Sequence, residues 1–272
     1  MKTLYLSDLD GTLLQSSIRI SEYSLRTINA LIEKGLLFSY ATARSIVTAE
    51  KVTKGLNLRL PPIINNGAFI LDEAKKPLIE NFLGDSAQAM LESMFEVDVF
   101  PLVYAFIDGR ERFSYCPSLC TEGMNAFLDM RKGDIRIRTV DKTDELKRGR
   151  IFNIICIDEP DKLYPLYEEF RESYSCVYHR DIYTHYQWLD ISSKAATKAN
   201  AAKQLQKLLG CDRIVAFGDG KNDIELFKAA DECYATANAD DELKKLATDI
   251  ILSNDEDGVA KWLERNAAET AF

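Results

Sequence analysis

The sequence predicts an α/β protein: a parallel sheet covered by helices on both faces, with a smaller α+β module inserted into it. Three observations carry this prediction. Short apolar runs alternate with amphipathic helical segments at both ends of the 272-residue chain, the pattern of a parallel sheet. Between about residues 83 and 186 the texture changes to alternating strand-like runs, two of them flanking the turn dipeptide Asp108-Gly109. Two pairs of acids, Asp8 with Asp10 and Asp219 with Asp223, follow directly on short apolar runs.

The first part reads as strand, loop, helix, strand, helix, strand. Residues 3–7 are a short apolar strand. Residues 21–34 carry Leu25, Ile28, Leu31 and Ile32 at helical spacing, with Ser21 placed to cap the start and Gly35 just past the end. A second strand over 36–40 leads into a helix reaching about residue 54, and Pro61-Pro62 introduces a third short strand at 63–64. The inserted part predicts helices at 86–95, 119–131 and 161–174. Its strands fall at 103–107, 110–115, 135–140, 150–157 and 177–183. The last part returns to the first pattern: helix 194–209 closed by Gly210, strand 214–217, helix 222–230, strand 233–236, helix 242–247, strand 250–252 and helix 259–267. The domain expectation is therefore a core from residues 1–82 and 187–272, with a cap from 83–186.

Composition narrows the function classes. With 46% apolar residues the chain can bury a full core. Its formal net charge of −9 argues against broad attraction to nucleic acid or an anionic membrane, so a phosphorylated ligand would need a local device to hold it. The start Met1-Lys2-Thr3 runs straight into a strand, and no stretch reaches the roughly 18 apolar residues of a membrane span. A soluble cytoplasmic protein is expected. Of the six cysteines, several sit in apolar runs such as Ile154-Ile155-Cys156-Ile157, as reduced, packed thiols do. Cys116 and Cys120 lack a second pair at zinc-site spacing.

The chemistry lies in the acids. Asp8 and Asp10, one residue apart at a strand exit, need a cation or a proton between them. A divalent metal relieves one, and the other keeps a raised pKa suited to proton transfer. The plain alternative is a solvated Asp-Gly turn. Gly218-Asp219-Gly220-Lys221-Asn222-Asp223 also follows a strand and opens a helix; its glycines permit a tight turn that aims carboxylates at one centre. The alternative is a generic loop in which Asp223 caps the helix. Thr42, after the second strand, reads either as a phosphate-binding hydroxyl at a helix start or as an ordinary cap. Arg44 reads either as facing an anionic substrate or as facing solvent. Lys198, with Lys194 and Lys203 nearby, reads on spacing as part of a solvated helix face. His179 and His185, in the aromatic stretch 178–188, read as packing residues. In open α/β sheets ligands bind beyond the carboxyl ends of the strands, where Asp8, Thr42 and Asp219 all fall. The inserted module is then placed to act as a lid.

Asp8-Leu9-Asp10-Gly11-Thr12, Thr42-Ala43-Arg44, Lys198 and the Gly218–Asp223 segment together resemble the motifs of the haloacid dehalogenase superfamily, in its Cof-like class IIB phosphatase branch. Ile64-Asn65-Asn66-Gly67-Ala68, Ala237-Asn238-Ala239 and Asn254-Asp255-Glu256-Asp257-Gly258-Val259 extend the likeness along nearly the whole chain. The resemblance implies a Rossmann-like core with an inserted cap. It also implies a Mg²⁺-dependent phosphatase acting on a small phosphorylated metabolite, such as a sugar phosphate. Asp8 is then the nucleophile and Asp10 the general acid and base. Asp8, the Asp10 backbone carbonyl, Asp219 and Asp223 are the implied metal site. Leu9, Thr42, Ala43, Arg44, Lys198 and Asn222 are the implied phosphate and substrate positions, with Asn222 binding phosphoryl or orienting Lys198. The chain departs from many relatives in carrying Ala43 and Ala199 where glycine is frequent.

Two other readings share these residues. A phospho-accepting signalling module also uses acids, Mg²⁺, a threonine and a lysine, but has no need of an acid where Asp10 stands. A phosphosugar mutase of the same superfamily would return the phosphoryl group to the sugar. Membrane ion pumps with a similar acidic motif are excluded by the want of a membrane span.

Overall fold

The computed structural model describes residues 1–180 and 185–267. The chain divides into two compact units, residues 1–80 with 195–272 and residues 81–194.

The first unit opens with β1 (Thr3–Ser7), α1 (Glu22–Glu33), β2 (Leu37–Tyr40), α2 (Ile46–Val52), β3 (Ile63–Ile64), β4 (Phe69–Leu71) and β5 (Pro77–Glu80). Helix α1 begins where Ser21 Oγ accepts the Ser24 N–H at 2.9 Å, and the chain leaves it through Gly35 at φ 103°. It buries Ile28, Leu31 and Ile32, part of the stripe read from the sequence.

The second unit contains α3 (Ser86–Glu96), β6 (Leu102–Ile107), β7 (Arg110–Tyr115), α4 (Glu122–Asp129), β8 (Ile137–Thr139), β9 (Arg150–Asp158), α5 (Pro160–Phe170), β10 (Ser175–Arg180) and β11 (Gln187–Ser192). Its sheet runs in the order β10-β11-β9-β6-β7-β8. Strands β6 and β7 form the hairpin expected from Asp108-Gly109; both turn residues have positive φ, 50° and 74°, as a tight two-residue turn demands. One face buries Val103, Ala105, Ile154, Cys156, Leu189 and Ile191 in a cluster shared with α3 and α5. On the other, Met124, Phe127 and Leu128 of α4 pack with Leu102, Phe113, Ile155 and Ile157.

The chain then completes the first unit with α6 (Lys198–Leu209), β12 (Arg213–Gly218), α7 (Ile224–Ala229), β13 (Glu232–Thr236), α8 (Asp241–Lys244), β14 (Asp249–Ile251) and α9 (Gly258–Asn266). The core sheet is parallel, in the order β14-β13-β12-β1-β2, and a parallel bridge from Ala41 to Ile63 attaches β3 beyond β2. Its central strands are buried on both faces: Leu4 and Leu6 have no exposure, nor do Ile214, Ala216 and Phe217. That explains their continuous apolar runs.

Several expectations need correction. The cap was expected to end at residue 186, but β11 pairs with both β9 and β10, so the unit boundary falls after Lys194. The alternating burial of residues 187–192 was masked in the sequence by the aromatic stretch before it. Of that stretch, residues 181–184 lie outside the described residues. The helix expected from residue 194 starts at Lys198, because the Thr197 hydroxyl accepts the Asn200 N–H at 3.1 Å and so sets its first turn. The short strand at 63–64 proves to be the first of three antiparallel strands, β3-β4-β5. Phe69-Ile70-Leu71 has no alternation by which to read it.

Phe217 stacks on Tyr234 at 5.8 Å between ring centroids and meets Trp262 edge-on at 5.1 Å. Replacing Phe217 by Ala should cost about 3–5 kcal/mol through lost burial and a residual cavity. Urea denaturation measures this, and a loss below about 1 kcal/mol would contradict the tight packing of that face.

Candidate active site

The carboxyl ends of β12, β1 and β2 lie side by side, and the chain turns at each are built to carry side chains inward. Asp8 leaves β1 with its N–H still bonded to the Phe217 carbonyl at 2.9 Å, so its position is an extension of the sheet register. Its side chain is nearly buried. Lys198, the first residue of α6, is 2% exposed and donates to Asp8 Oδ1 and to Asp223 Oδ1, each at 2.7 Å. The solvated-face reading of this lysine is therefore wrong. The start of the helix aims it inward, where an unpaired ammonium could not be tolerated.

Asp223 has no exposure. Its second oxygen accepts the backbone N–H groups of Asp219 and Gly220 at 3.2 and 3.1 Å, closing the turn after β12. The turn needs glycine at 218: a Cβ there would stand 2.7 Å from the Asp223 carboxyl carbon. Asp219 accepts the Thr12 hydroxyl at 2.9 Å. Gly11, at φ 72°, lies so close that a Cβ would come within 2.1 Å of Asp219 Oδ2. The two acidic motifs interlock through this contact. Thr12 had no assigned task, although it belongs to the first motif. Asn238, quoted only as part of a likeness, donates to the Gly11 carbonyl at 2.8 Å.

Asp8, Asp219 and Asp223 bring carboxylate oxygens within 4.8 Å of one another. Three carboxylates thus share one ammonium. Burial raises Asp8 to about 7, with Lys198 opposing and Asp223 reinforcing the rise. Burial likewise raises Asp219 to about 6 against its bond from Thr12. For Lys198, burial acts against the charge, but Asp8 and Asp223 outweigh it and hold its pKa above the ordinary value. An all-oxygen donor set this short of positive charge fits a hard divalent cation.

Asp10 is not in that cluster. Its side chain is 52% exposed and turned onto Arg44, which donates from Nε at 2.7 Å and from Nη2 at 2.5 Å to its two oxygens. Arg44, read as facing either an anionic substrate or solvent, is thus held by Asp10. Thr42 is fully buried; its hydroxyl accepts the Arg44 N–H at 3.1 Å, and its own N–H bonds to the Ile63 carbonyl. The Asn65-Asn66-Gly67 turn, with positive φ at all three residues, returns the Asn66 N–H to the Thr42 carbonyl. The Leu9 side chain is buried in the core, so only its backbone is available, and its N–H bonds to the Asp8 carboxylate. Ala43 is exposed. Asn222 is exposed as well and makes no hydrogen bond to Lys198, which Asp8 and Asp223 orient instead. The 254–258 segment staples the loop after the first motif: Asn254 donates to the Leu14 carbonyl at 2.9 Å, and Asp257 accepts the Ser21 and Ser24 hydroxyls at 2.5 and 2.9 Å.

A parallel α/β sheet that gathers buried acids and a lysine at its carboxyl edge is suited to phosphoryl chemistry. A sequence model of the haloacid dehalogenase-like hydrolases matches residues 5–263, and the chain belongs to that family. It is a phosphatase-type enzyme, and its relatives agree. A Bacillus subtilis protein named 5-amino-6-(5-phospho-D-ribitylamino)uracil phosphatase YitU is 25% identical over 94% of this chain and 94% of its own. A haloacid dehalogenase-like hydrolase from Bacteroides thetaiotaomicron is 27% identical, with TM-score 0.75 over 97% of this chain and 99% of that one. The fold is shared with the subclass IIB sugar phosphatase BT4131, at 22% identity and TM-score 0.74 over 98% and 99% of the two chains.

A carboxyl whose pKa is raised on folding binds its proton more tightly in the folded state, so acid favours folding. In EDTA, the Asp8 contribution should fall as pH rises from about 4 through about 7. Replacing Lys198 by Met leaves buried carboxylates unpaired and should cost about 3–5 kcal/mol at pH 8. Denaturation at a series of pH values should show that penalty shrinking toward pH 5 as Asp8 takes up its proton, and a constant penalty would mean that Asp8 does not depend on the ammonium.

Proposed function

We propose that the protein is a Mg²⁺-dependent phosphomonoesterase that works through an aspartyl-phosphate on Asp8. The observation that carries this reading is the Asp8 carboxylate, nearly buried and held by Lys198 at 2.7 Å inside the acid cluster. A nucleophile fixed in this way loses little freedom on reaching an in-line approach to phosphorus. Asp8, Asp219 and Asp223 are the side chains that would hold Mg²⁺, which when bound neutralises charge on the transferring group.

An Asp8 oxygen bonds to phosphorus as the ester oxygen departs, and Asp10 gives that oxygen its proton. Asp10 then takes a proton from water as the water oxygen attacks phosphorus, releasing phosphate and restoring Asp8. Lys198 and Thr42 steady the phosphoryl oxygens. Arg44 holds the Asp10 carboxyl group until an anionic substrate competes for the guanidinium; once released, that carboxyl group takes up a proton from solvent and so has one to give.

The substrate is a small soluble polyhydroxylated phosphate ester, handled without nucleic acid or membrane. Support comes from the phosphorylated ribityl group named for YitU and the sugar phosphatase activity named for BT4131. The inserted unit carries the specificity. Among the described residues no helix is long and apolar enough to cross a membrane.

Asp8→Asn should abolish turnover of p-nitrophenyl phosphate, as should EDTA, while Asp10→Asn should lower kcat by roughly 10²–10⁴. Wild-type rates in Asp8→Asn would remove the nucleophile assignment. MgCl₂ should raise the thermal midpoint, more at pH 8 than at pH 5 because protons compete for Asp8 and Asp219. No shift at either pH would count against the metal site.

A further inference from the structure

The turn after β3 holds a hydrogen-bond donor that the fold does not use. Among the described residues of the first unit, Asn65 Nδ2 is the buried side-chain nitrogen or oxygen without a hydrogen-bond partner. A buried amide nitrogen that has lost water and gained nothing in return costs stability. Glycine would fill the same backbone position without that cost, because Asn65 lies at φ 49°.

The sheet fixes where this donor stands. The parallel bridge from Ala41 to Ile63 carries the register of β2 across to β3. Just beyond it, the Asn65 N–H bonds to the Arg44 carbonyl and the Asn66 N–H to the Thr42 carbonyl, each at 2.9 Å. Asn65 therefore runs alongside the Thr42–Arg44 segment, at the carboxyl edge where Asp8 and Lys198 meet. On the other side of the turn, a Cβ on Gly67 would overlap the Thr197 carbonyl oxygen, immediately before Lys198. The turn is thus clamped between the segment that carries Thr42 and the helix start that carries Lys198.

Its backbone is strained as well as clamped. Asn65, Asn66 and Gly67 follow one another at φ 49°, 53° and 94°. Asparagine bears the left-handed region better than most residues, but two in succession are a cost that the surrounding structure must sustain. Strain and an unmatched donor share one turn, at the edge where ligands enter an open α/β sheet. A ligand explains both better than the resting fold does. That ligand must bring an acceptor, and the neighbouring guanidinium of Arg44 favours an anionic one. Asn65 as a whole is partly exposed, and the torsion that turns its terminal amide is soft, so the NH₂ can swing toward such a group.

We propose that Asn65 is a phosphoryl-binding residue, its Nδ2 donating to an oxygen of the bound phosphate and left unpaired until that group arrives. This rests on the phosphatase reading and adds to Thr42 and Lys198 a donor from the next strand of the sheet. An amide carries no charge, so it adds a hydrogen bond without disturbing the balance of carboxylates and ammonium around Asp8.

The test uses inorganic phosphate as the probe. Its binding is read as the inhibition constant against p-nitrophenyl phosphate and, independently, as the rise in thermal midpoint that it produces. Asn65→Gly removes the donor and suits the positive φ, while Asn65→Asp keeps the shape but puts a charged acceptor in its place. Phosphate should bind about ten- to a hundredfold more weakly to Asn65→Gly, and more weakly still to Asn65→Asp. Without phosphate, the midpoint of Asn65→Gly should equal or exceed that of the wild type, because an unmatched donor and a strained residue have both gone. Phosphate affinity unchanged in both variants would overturn the proposal and leave Asn65 a turn residue, while aryl phosphate turnover by the wild type keeps the phosphatase reading standing. A wild type that neither hydrolyses the aryl ester nor is stabilised by phosphate would remove that reading, and this residue's role with it.

Discussion

One ammonium group holds the first unit's chemistry together. Lys198 stands between Asp8 and Asp223 with almost no exposure, bonded to both at 2.7 Å. Each of these charges would cost several kcal/mol to bury alone. They are tolerated because α6 starts at Lys198 and because β1 and β12 are parallel neighbours that deliver the two acidic turns to one edge. Charge balance remains incomplete, since Asp219 joins the cluster without adding a cation. That deficit is what a divalent cation, if bound there, would offset.

The backbone around this pair is equally constrained. Gly11 and Gly218 are required because Asp219 and Asp223 occupy the space a Cβ would need. Gly67, at φ 94°, packs against the Thr197 carbonyl just ahead of Lys198, so the turn after β3 also supports the lysine. Groups far apart in sequence are thus tied mechanically as well as electrostatically. Asp10 is held differently, on the surface and by Arg44, where it is free to exchange partners. The function proposed above, with Asp8 as nucleophile and Asp10 as proton carrier, would draw on that difference.

The acids, the glycines between them and the alternation of strands and helices could be read directly, because each is a local pattern with a local cause. Ser21 and Gly35 marked α1, and Asp108-Gly109 marked the β6–β7 hairpin, for the same reason. Features that depend on partners distant in sequence were not legible. On spacing alone Lys198 read as one more helix lysine and only the motif resemblance raised it; the two carboxylates it meets across the fold could not be read. Strand β11 lay hidden beside an aromatic stretch, and β4 had no alternation to betray it.

By itself the sequence determined the reaction type: two acidic motifs at strand ends, a threonine and a lysine, all of residue types that phosphoryl chemistry needs. Tertiary structure decided which acids share a centre and which stand apart. It grouped Asp8 with Asp219 and Asp223, placed Asp10 on Arg44, and left Asn222 exposed at its turn. It also set Asn65 beside Arg44. The physical reason is that burial and pairing are properties of neighbours in space, and sheet register, not spacing along the chain, chooses those neighbours.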